Sequence, residues 1–160
     1  MIIKLDHNAI PRLVPLLRSV QAVHCHARPH QFHDGATDSA FAAFFADRLE
    51  QGALILGFER DNALLGYALV QVQDRAADAF RHAERLALID QISVAEAHRG
   101  KGIGTALIRA VEARLPELGC TGWTALYWTF NAASARLFTR AGAERAVVRV
   151  SKALGPGHPS

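Results

Sequence analysis

Hydrophobic residues recur along this chain at two different spacings, and each spacing predicts a different kind of secondary structure. Apolar residues three or four positions apart predict amphipathic helices over residues 8–23, 37–52, 103–118 and 131–140. Shorter apolar runs rich in β-branched residues predict strands over residues 1–5, 53–59, 63–73, 86–94, 123–130 and 144–150. Asn8 and either Thr37 or Asp38 are suited to cap the first two helices.

The order of these elements predicts an α/β fold. The strands at 86–94 and 123–130 flank a helix, and a right-handed crossover of this kind makes them parallel neighbours. The two strands before them are joined at Asp61-Asn62, a dipeptide typical of a tight antiparallel hairpin. We expect a mixed, mostly antiparallel central sheet with helices on both of its faces.

Composition and charge limit the classes of protein to consider. The chain has 160 residues, half of them hydrophobic and 21% charged, which predicts a single globular domain over residues 1–152 and a disordered tail at 153–160. No apolar run is long enough for a membrane span, and the first ten residues lack the pattern of a secretory signal. Cys25 and Cys120 have neither metal-type nor redox spacing, so we expect free thiols and a cytoplasmic location. The net charge of +3 suits an anionic ligand but is too small to indicate nucleic-acid binding.

The stretch HRGKGIGTAL at residues 98–107 places three glycines and two cations at the start of a predicted helix. The first turn of a helix has unpaired N–H groups and a partial positive charge, and glycines let a ligand approach that backbone closely. This combination predicts a cradle for an anion such as a pyrophosphate. The alternative is a tight turn whose glycines serve only helix–sheet packing. The spacing fits neither the Walker pattern nor the dinucleotide fingerprint.

Two longer stretches match motifs of a known family. LALIDQISVAEAHRGKGIG, at residues 86–104, has the pattern Arg99-x-x-Gly102-x-Gly104 and is similar to the fourth strand and acyl-CoA loop of the GCN5-related N-acetyltransferase (GNAT) family. WTFNAASARLFTRAGA, at residues 128–143, resembles the second family motif, and LLGYALVQV is loosely similar to the third strand. The resemblance implies the acyl-CoA N-acyltransferase fold, in which a splayed parallel strand pair lies in the middle of the sheet.

The resemblance also implies acetyl-CoA as co-substrate, with no metal. The main chain of Ile92, Ser93 and Val94 would pair with the pantetheine arm and polarise the thioester carbonyl. Asn131 would hold the far end of that arm or a bridging water, and Phe138 would also lie against the cofactor. The pyrophosphate would be bound by Arg99, Gly100, Lys101, Gly102, Ile103, Gly104 and Thr105.

The chain departs from the family pattern at two places. Phe138 stands where relatives carry a tyrosine that protonates the leaving thiolate; Tyr127 is the nearest phenol in sequence, and its alternation with Trp128 favours the core. Only one strand is predicted after the last helix where relatives have two. We therefore expect a sheet edge that is short or completed by a partner subunit in a homodimer.

Asp90 is the candidate catalytic residue. It lies in the predicted strand at 86–94, where many members of the family carry a glutamate, and strand alternation places it with Leu88 and Ile92. A carboxylate among apolar neighbours is an effective general base for an amine. A structural acid paired with Arg99, His98 or another loop cation is an equally good interpretation.

The segment from His24 to Asp34 is rich in histidine, which raises the question of a metal site. Its residues lack the HxxxH or CxxC spacing that would bring ligands together on one helix face, so we expect a histidine-rich helix end and loop and no bound metal. In the family the corresponding region covers the acceptor cleft. The resemblance therefore implies His26, Pro29 and Phe32 as substrate contacts.

The sequence as a whole favours an acetyl-CoA-dependent N-acetyltransferase that transfers acetyl directly to a primary amine of a small molecule or a protein. A CoA-binding sensor or regulatory module without turnover is the alternative, suggested by Phe138. A nucleic-acid-binding domain is disfavoured by the low net charge and by the lack of an aromatic and basic stripe. Neither nucleic acid nor a membrane is an expected partner.

Overall fold

Five strands and four α-helices lie within residues 1–152, which are the residues that the computed structural model describes. The predicted tail at 153–160 lies outside them. The elements in chain order are β1 (Ile2–Leu5), α1 (Ile10–Ala27), α2 (Asp38–Glu50), β2 (Leu54–Arg60), β3 (Ala63–Arg75), β4 (Glu84–Val94), α3 (Ile103–Arg114), β5 (Trp123–Ala125) and α4 (Ala132–Arg140). Within this range, no helix combines the length and the apolar character that crossing a bilayer requires.

The described strands form one sheet in the order β1-β2-β3-β4-β5. Every neighbouring pair is antiparallel except β4 and β5, which are parallel. The β2–β3 hairpin turns on Asp61 and Asn62, whose φ angles of 49° and 63° are those of the predicted tight turn. The predicted mixed, mostly antiparallel sheet is confirmed.

The parallel pair is splayed, because β4 and β5 are in register only from Ala87↔Trp123 to Ile89↔Ala125. Beyond Ile89 the two strands separate, and no described strand covers this edge of residues 90–94 of β4. The pair lies at the edge of the described sheet and not in its middle, because residues 144–150, predicted as a strand, have no regular structure. The valines of this segment, at 147, 148 and 150, are exposed, and strand propensity has little effect without a surface to pack on.

A β-bulge interrupts the pairing of β3 with β4. Leu69 pairs with Gln91 while its neighbour Val70 pairs with Ile89, so Asp90 is an extra residue in β4. An extra residue shifts the alternation of side chains by one. Ile89 and Ile92 consequently both pack on the α3 side of the sheet, and Asp90 does not share a face with Ile92 as the simple alternation predicted.

Each face of the sheet has its own hydrophobic core, so the prediction of helices on both faces is confirmed. The first core joins α1 and α2 to the sheet through Leu5, Ala9, Ile10, Leu13, Val14, Leu16, Leu17, Phe45, Ala53, Ile55, Tyr67 and Leu69. The second joins α3 and α4 to the opposite face through Leu56, Leu65, Ala68, Val70, Ala87, Ile89, Ile103, Leu107, Ile108, Val111, Cys120 and Phe138.

The ends of the helices are determined by capping residues and by proline, and they differ in part from the ends that the hydrophobic pattern predicts. Thr37 caps α2, as predicted, by accepting a hydrogen bond from the Ala40 N–H. Asp6 and not Asn8 caps the entry to α1, accepting the N–H of Asn8 in a short 3-10 turn. α3 ends at Arg114, before the predicted residue 118, because Pro116 has no N–H to continue the helix.

Candidate functional site

The loop between β4 and α3 is built from two glycines in the left-handed region. Gly100 has a φ of 75° and Gly102 a φ of 82°, conformations that other residues adopt only with strain. A Cβ placed at either position would have no neighbour within 4 Å. The backbone at these glycines therefore faces open space, and a ligand could approach it without a side chain in the way.

The first turn of α3 follows directly. Gly102 is the N-cap, and the first hydrogen bond inside the helix runs from the Ala106 N–H to the Gly102 carbonyl. The N–H groups of Ile103, Gly104 and Thr105 thus have no partner within the helix and carry the positive end of its dipole. The geometry fits the anion cradle that the sequence predicts, with Ile103 contributing only its N–H because its side chain is buried.

Gly104 has a different role from the one that the sequence indicated. A Cβ here would lie 3.1 Å from the side chain of Leu137, so the glycine lets α3 and α4 pack closely. Its side-chain position faces α4 and not a ligand. Only its N–H stays in the predicted cradle.

The side chains of the two cations of the loop, Arg99 and Lys101, form hydrogen bonds with other residues of the protein. The Nε of Arg99 donates to the Val94 carbonyl at 3.1 Å, and its Nη2 lies 3.4 Å from the Ser19 hydroxyl of α1. The Nζ of Lys101 donates to the Ala97 carbonyl at 2.9 Å. Both charges remain beside the loop, but the N–H groups of the backbone are its most directly available donors.

The uncovered edge of β4 exposes alternate backbone groups. Ala95 donates its N–H to the Leu65 carbonyl near the start of β3, so alternation turns the backbone of Ser93 toward β3 and that of Ile92 and Val94 toward the uncovered edge. The hydroxyl of Ser93 is buried and donates to the Leu16 carbonyl of α1 at 3.2 Å. Ser93 therefore supports the sheet, and it is not one of the residues that offer main-chain groups to a ligand.

Asp90 lies on the α2 side of the bulge. Its Oδ2 is 3.5 Å from the Nε of Arg48, whose guanidinium also lies over the ring of Phe44, 5.0 Å from the ring centre. The sequence suggested Arg99 or His98 as the partner and missed Arg48, because a pairing over forty residues leaves no local pattern. About a quarter of the Asp90 side chain is exposed, so it is less enclosed than its predicted apolar neighbours implied.

A buried tyrosine contacts the bulge through the side chain of Gln91. Tyr67 has no exposed surface, and its hydroxyl donates to the Gln91 amide oxygen at 2.7 Å. Burial, and after it the charge of Asp90, raise the pKa of the Tyr67 phenol far above its ordinary value. The phenol therefore stays protonated and remains a hydrogen-bond donor to Gln91.

Four aromatic rings join the end of α1 to the segment that follows β5. We call this set the aromatic cluster; it consists of His24, Phe32, Trp128 and Phe130. The ring of His24 lies 5.0 Å from that of Phe32 and 5.8 Å from that of Phe130, and Phe32 meets Trp128 edge to face at 5.4 Å. Burial lowers the pKa of His24, which favours its neutral form.

The three predicted substrate residues do not share one environment. Phe32 belongs to the aromatic cluster, whereas His26 and Pro29 are exposed on the helix end and the loop that follows it. Across residues 1–152, no three His, Cys, Asp or Glu side chains come together as a metal site would require. Cys25 and Cys120 are free thiols, as expected.

Asn131 and Phe138, which belong to the second family motif, lie at the start of α4 and within it. The side-chain oxygen of Asn131 caps this helix by accepting the Ser134 N–H at 3.1 Å, which leaves its amide N–H groups as donors. Phe138 is only 6% exposed and packs against Trp123 and Tyr127, so its surroundings are those of a core residue and not of a cofactor contact. Tyr127 is 36% exposed, and the prediction that it lies in the core is wrong.

A separate cavity lies at the other end of the β3–β4 hairpin. Its volume is about 450 Å³, and charged residues of the two strand ends form much of its wall. Along β4 it begins at Glu84, the opposite end from the glycine loop. We therefore do not assign it to the candidate site.

The sequence matches the model of the acetyltransferase (GNAT) family over residues 18–143. No curated protein matches it.

Solved structures with the same fold are similar over nearly the whole chain. A tetramutant of the BH1408 protein from Bacillus halodurans is 18% identical, with a TM-score of 0.84 and coverage of 96% of this chain and 99% of that one. A ribosomal-protein-alanine N-acetyltransferase from Brucella melitensis biovar Abortus 2308 is 22% identical, with a TM-score of 0.71 and coverage of 96% and 99%. The aminoglycoside N-acetyltransferase AAC(6′)-Iy, in complex with CoA, is 17% identical, with a TM-score of 0.73 and coverage of 95% and 93%.

Proposed function

Because this chain belongs to the acetyltransferase (GNAT) family, we propose that it transfers the acetyl group of acetyl-CoA directly to a primary amine of a small molecule or a protein. The family supports acetyl transfer in general. The amine acceptor, the direct transfer and the roles of individual residues are the parts that we propose.

One observation carries the proposal. The left-handed backbone of Gly100 and Gly102 opens onto free space at the start of α3, directly beside the uncovered edge of β4. An anion cradle and a strip of free main-chain donors are thus adjacent. A molecule with a pyrophosphate at one point and an amide-containing arm next to it matches both features.

The proposed contacts follow from this arrangement. The N–H groups of residues 102–105 bind the pyrophosphate, with the charges of Arg99 and Lys101 close by. Ile92 and Val94 offer main-chain groups to the pantetheine arm. Because Arg99 already donates to the Val94 carbonyl, the N–H of Val94 and both main-chain groups of Ile92 are the ones we assign to the arm.

The reaction requires a neutral amine. An alkylamine has a pKa of about 10.4, so fewer than about one molecule in a thousand is neutral at pH 7. The amine nitrogen attacks the thioester carbon, the C–N bond forms and the C–S bond breaks. We propose that Asp90 accepts the proton of the amine, directly or through water, and that a main-chain N–H of the β4 edge stabilises the charge that develops on the carbonyl oxygen.

The cradle is tested by thermal unfolding with and without acetyl-CoA. At about a hundred times its dissociation constant, a ligand should stabilise the fold by roughly 2.7 kcal/mol. Gly102→Asp should remove this stabilisation, because it adds bulk and negative charge at the pyrophosphate.

Gly52→Asp is the matched control for that test. Gly52 has a φ of 83° and open space around it, so the substitution carries the same backbone strain at a distant helix end. It should lower the stability of the free protein but keep the full effect of acetyl-CoA. An equal ligand effect in the Gly102 and Gly52 variants would contradict the proposed cradle.

A CoA-binding module without turnover is the second candidate. It is favoured by the pairing of Asp90 with Arg48 and by Phe138, which has no proton to give. The release of free thiol from acetyl-CoA, measured on a panel of primary amines, separates the two. Stabilisation by acetyl-CoA without thiol release from any amine would support the binding module.

The remaining expectations are part of the same proposal. We propose a single catalytic domain over residues 1–152, a cytoplasmic location, and no nucleic-acid, membrane or metal partner. A homodimer is proposed because the described sheet ends at β5, which is only three residues long. Light scattering at several protein concentrations tests it, and a constant monomer mass would contradict it.

A further inference from the structure

The aromatic cluster lies on the α1 side of the gap between β4 and β5. α1 passes the uncovered edge at Leu16, whose carbonyl accepts from Ser93, and at Ser19, which contacts Arg99. His24 lies two turns after Leu16, so the cluster is about 12 Å along the helix from the Leu16 contact. Trp128 and Phe130 approach it from the segment that follows β5. The cluster therefore bridges the two sides of the gap.

Arg28 lies beside the aromatic cluster and brings a positive charge to it. Its guanidinium lies over the ring of Trp128, 5.7 Å from the ring centre. Among residues 1–152, it makes no ion pair with a carboxylate. A guanidinium stacked on a ring keeps its in-plane N–H groups, which suit a planar carboxylate or a phosphate.

Two carboxylates on this side of the sheet are held in ion pairs. Asp90 pairs with Arg48, and Asp38 pairs with Arg18. Asp34, on the loop after α1, is exposed to solvent. A polycationic acceptor needs several free carboxylates, and the aromatic cluster presents apolar rings and a free cation instead.

We propose that the aromatic cluster binds the acceptor, and that the acceptor is a primary amine with an apolar or aromatic body and an anionic group held by Arg28. The inference rests on the proposed function, whose acceptor class it narrows. The rings of Phe32 and Trp128 contact the apolar body, and the amine extends toward the gap where β4 is uncovered.

The test measures binding with two matched pairs of amines. Phenylalanine and phenethylamine differ only in the carboxylate, as do leucine and isoamylamine, and spermidine serves as the polycation. Trp123 and Trp128 are the two tryptophans of the chain, so Trp123→Phe makes Trp128 the sole tryptophan, whose emission can be excited selectively. We titrate each amine and follow the emission of Trp128. In at least one pair, the amino acid should bind about tenfold more tightly than its decarboxylated partner. Spermidine should not change the emission.

Arg28→Gln should abolish the preference for the carboxylate and leave binding of the decarboxylated amines unchanged. Arg81→Gln, in the loop between β3 and β4, is the control and should keep the preference. Thermal unfolding of the unsubstituted protein with the same amines gives a second readout, independent of the Trp123 substitution. The inference is overturned if neither pair shows a preference, if the preference persists in Arg28→Gln, or if spermidine binds most tightly.

Turnover separates this inference from the proposed function. Thiol release with spermidine as the best acceptor would support acetyl transfer and contradict the proposed class of acceptor. Tighter binding of the amino acids, without thiol release from any amine, would support the proposed binding site and contradict the proposed acetyl transfer.

Discussion

The Asp90 carboxylate lies 3.5 Å from the guanidinium of Arg48, so a proton that it accepts also alters an ion pair. The bulge places this carboxylate on the side of the sheet where the aromatic cluster and α2 lie. The same bulge turns Ile92 to the opposite face, so its side chain does not block the approach to Asp90. In the proposed reaction, the carboxylate on one face and the main-chain donors at the strand edge act on one reacting centre.

Replacement of Asp90 by asparagine tests its role in proton transfer. Asp90→Asn should lower kcat/KM by about 10²-fold and flatten the acidic limb of its pH profile, because the side chain no longer accepts a proton. The stabilisation by acetyl-CoA should stay near normal. Arg48→Gln separates charge pairing from catalysis, since it removes the partner and keeps the carboxylate. Full activity with an unchanged profile in Asp90→Asn would leave Asp90 a structural role only.

We propose Tyr127 as a candidate for the acid that protonates the leaving thiolate, because it is not in the core as the sequence suggested. Its ring centre lies 5.8 Å from that of Phe138, the position where relatives carry a tyrosine, and its side chain is partly exposed. A thiol has a pKa of about 8.5 and leaves without much help. We therefore expect Tyr127→Phe to lower kcat by up to about tenfold with acetyl-CoA affinity unchanged. An unchanged kcat, measured on the best amine of the panel, would exclude Tyr127 as the acid.

Phe138→Tyr provides the complementary measurement. Phe138 is buried, so the added hydroxyl should cost about 1–3 kcal/mol of stability if it finds no partner. If the hydroxyl instead reaches the thiolate, kcat should rise by up to about tenfold. Denaturant unfolding and thiol release on the same preparation distinguish these effects. A variant that is neither less stable nor faster would contradict both.

At the scale of the elements, the aromatic cluster couples the end of α1 to the segment after β5 through a half-buried histidine. Burial lowers the pKa of His24 below its ordinary value of about 6.5. The unfolded chain therefore takes up this proton first as the pH falls. The contribution of His24 to stability is complete above about pH 6.5 and is lost as the pH falls through the lowered value.

This linkage predicts a difference between two histidine variants. The melting temperature of His24→Gln should fall less between about pH 7.5 and pH 5.5 than that of the unsubstituted protein. His26→Gln, at an exposed position, should retain the original pH dependence. Differential scanning calorimetry at both values measures it. Equal pH dependence in all three proteins would show that His24 is not the responsible group.

The contact between β3, β4 and α3 depends on one glycine. A Cβ at Gly66 would lie 2.7 Å from the Ser93 carbonyl oxygen and 3.3 Å from the Ile103 side chain. Gly66→Ala should destabilise the fold by about 1–3 kcal/mol, because a backbone oxygen cannot move aside cheaply. Gly122→Ala, whose Cβ would meet only an ordinary contact at 3.6 Å, should cost much less. Urea unfolding that gave equal losses would contradict this packing.

Most elements could be predicted from sequence because their signals are local. The Asp61-Asn62 turn, the Thr37 cap and the glycines before α3 each act within a few residues, and the structure has them as predicted. The bulge at Asp90 could not be predicted in this way, since it depends on how β3 pairs. The segment at 144–150 has strand-forming residues, but strand formation requires a partner that local sequence does not specify.

The candidate site shows the same division. The glycine loop and the start of α3 are contiguous in sequence, so their conformation was accessible from the pattern. The contacts of Asp90 with Arg48, of Arg99 with Ser19 and of Phe32 with Trp128 join distant segments. No spacing rule reports such contacts, and these are the ones that distinguish the chemistry of this chain.

At the scale of the whole molecule, stability is concentrated at the centre of the sheet. β3 is hydrogen-bonded on both sides, and four of its consecutive residues, from Tyr67 to Val70, are almost completely buried between the two cores. Residues 126–130 and 143–152 lie outside the sheet and carry exposed apolar side chains. Opening of these outer segments should therefore require much less free energy than opening of β3.

Hydrogen exchange followed by mass spectrometry tests that distribution. Amides of β3 should exchange most slowly and those of 143–152 fastest. Acetyl-CoA should slow exchange at the uncovered edge, in peptides that contain Ile92 and Val94, and leave the β1–β2 peptides unchanged. Protection by acetyl-CoA confined to the β3–β4 loop would contradict the proposed binding edge.

The bulge in β4 also determines where this strand can lose a residue. Substitution of Asp90 removes a carboxylate, whereas deletion of Asp90 would remove the bulge and leave the pairs of β3 with Ile89 and Gln91 as they are. Ile89 and Ile92 would then be two positions apart, and simple alternation would keep them on one face. In a library of variants, a one-residue deletion between Ile89 and Ile92 should therefore be tolerated better than one elsewhere in β4, and relatives without the bulge should align with a one-residue gap at this point.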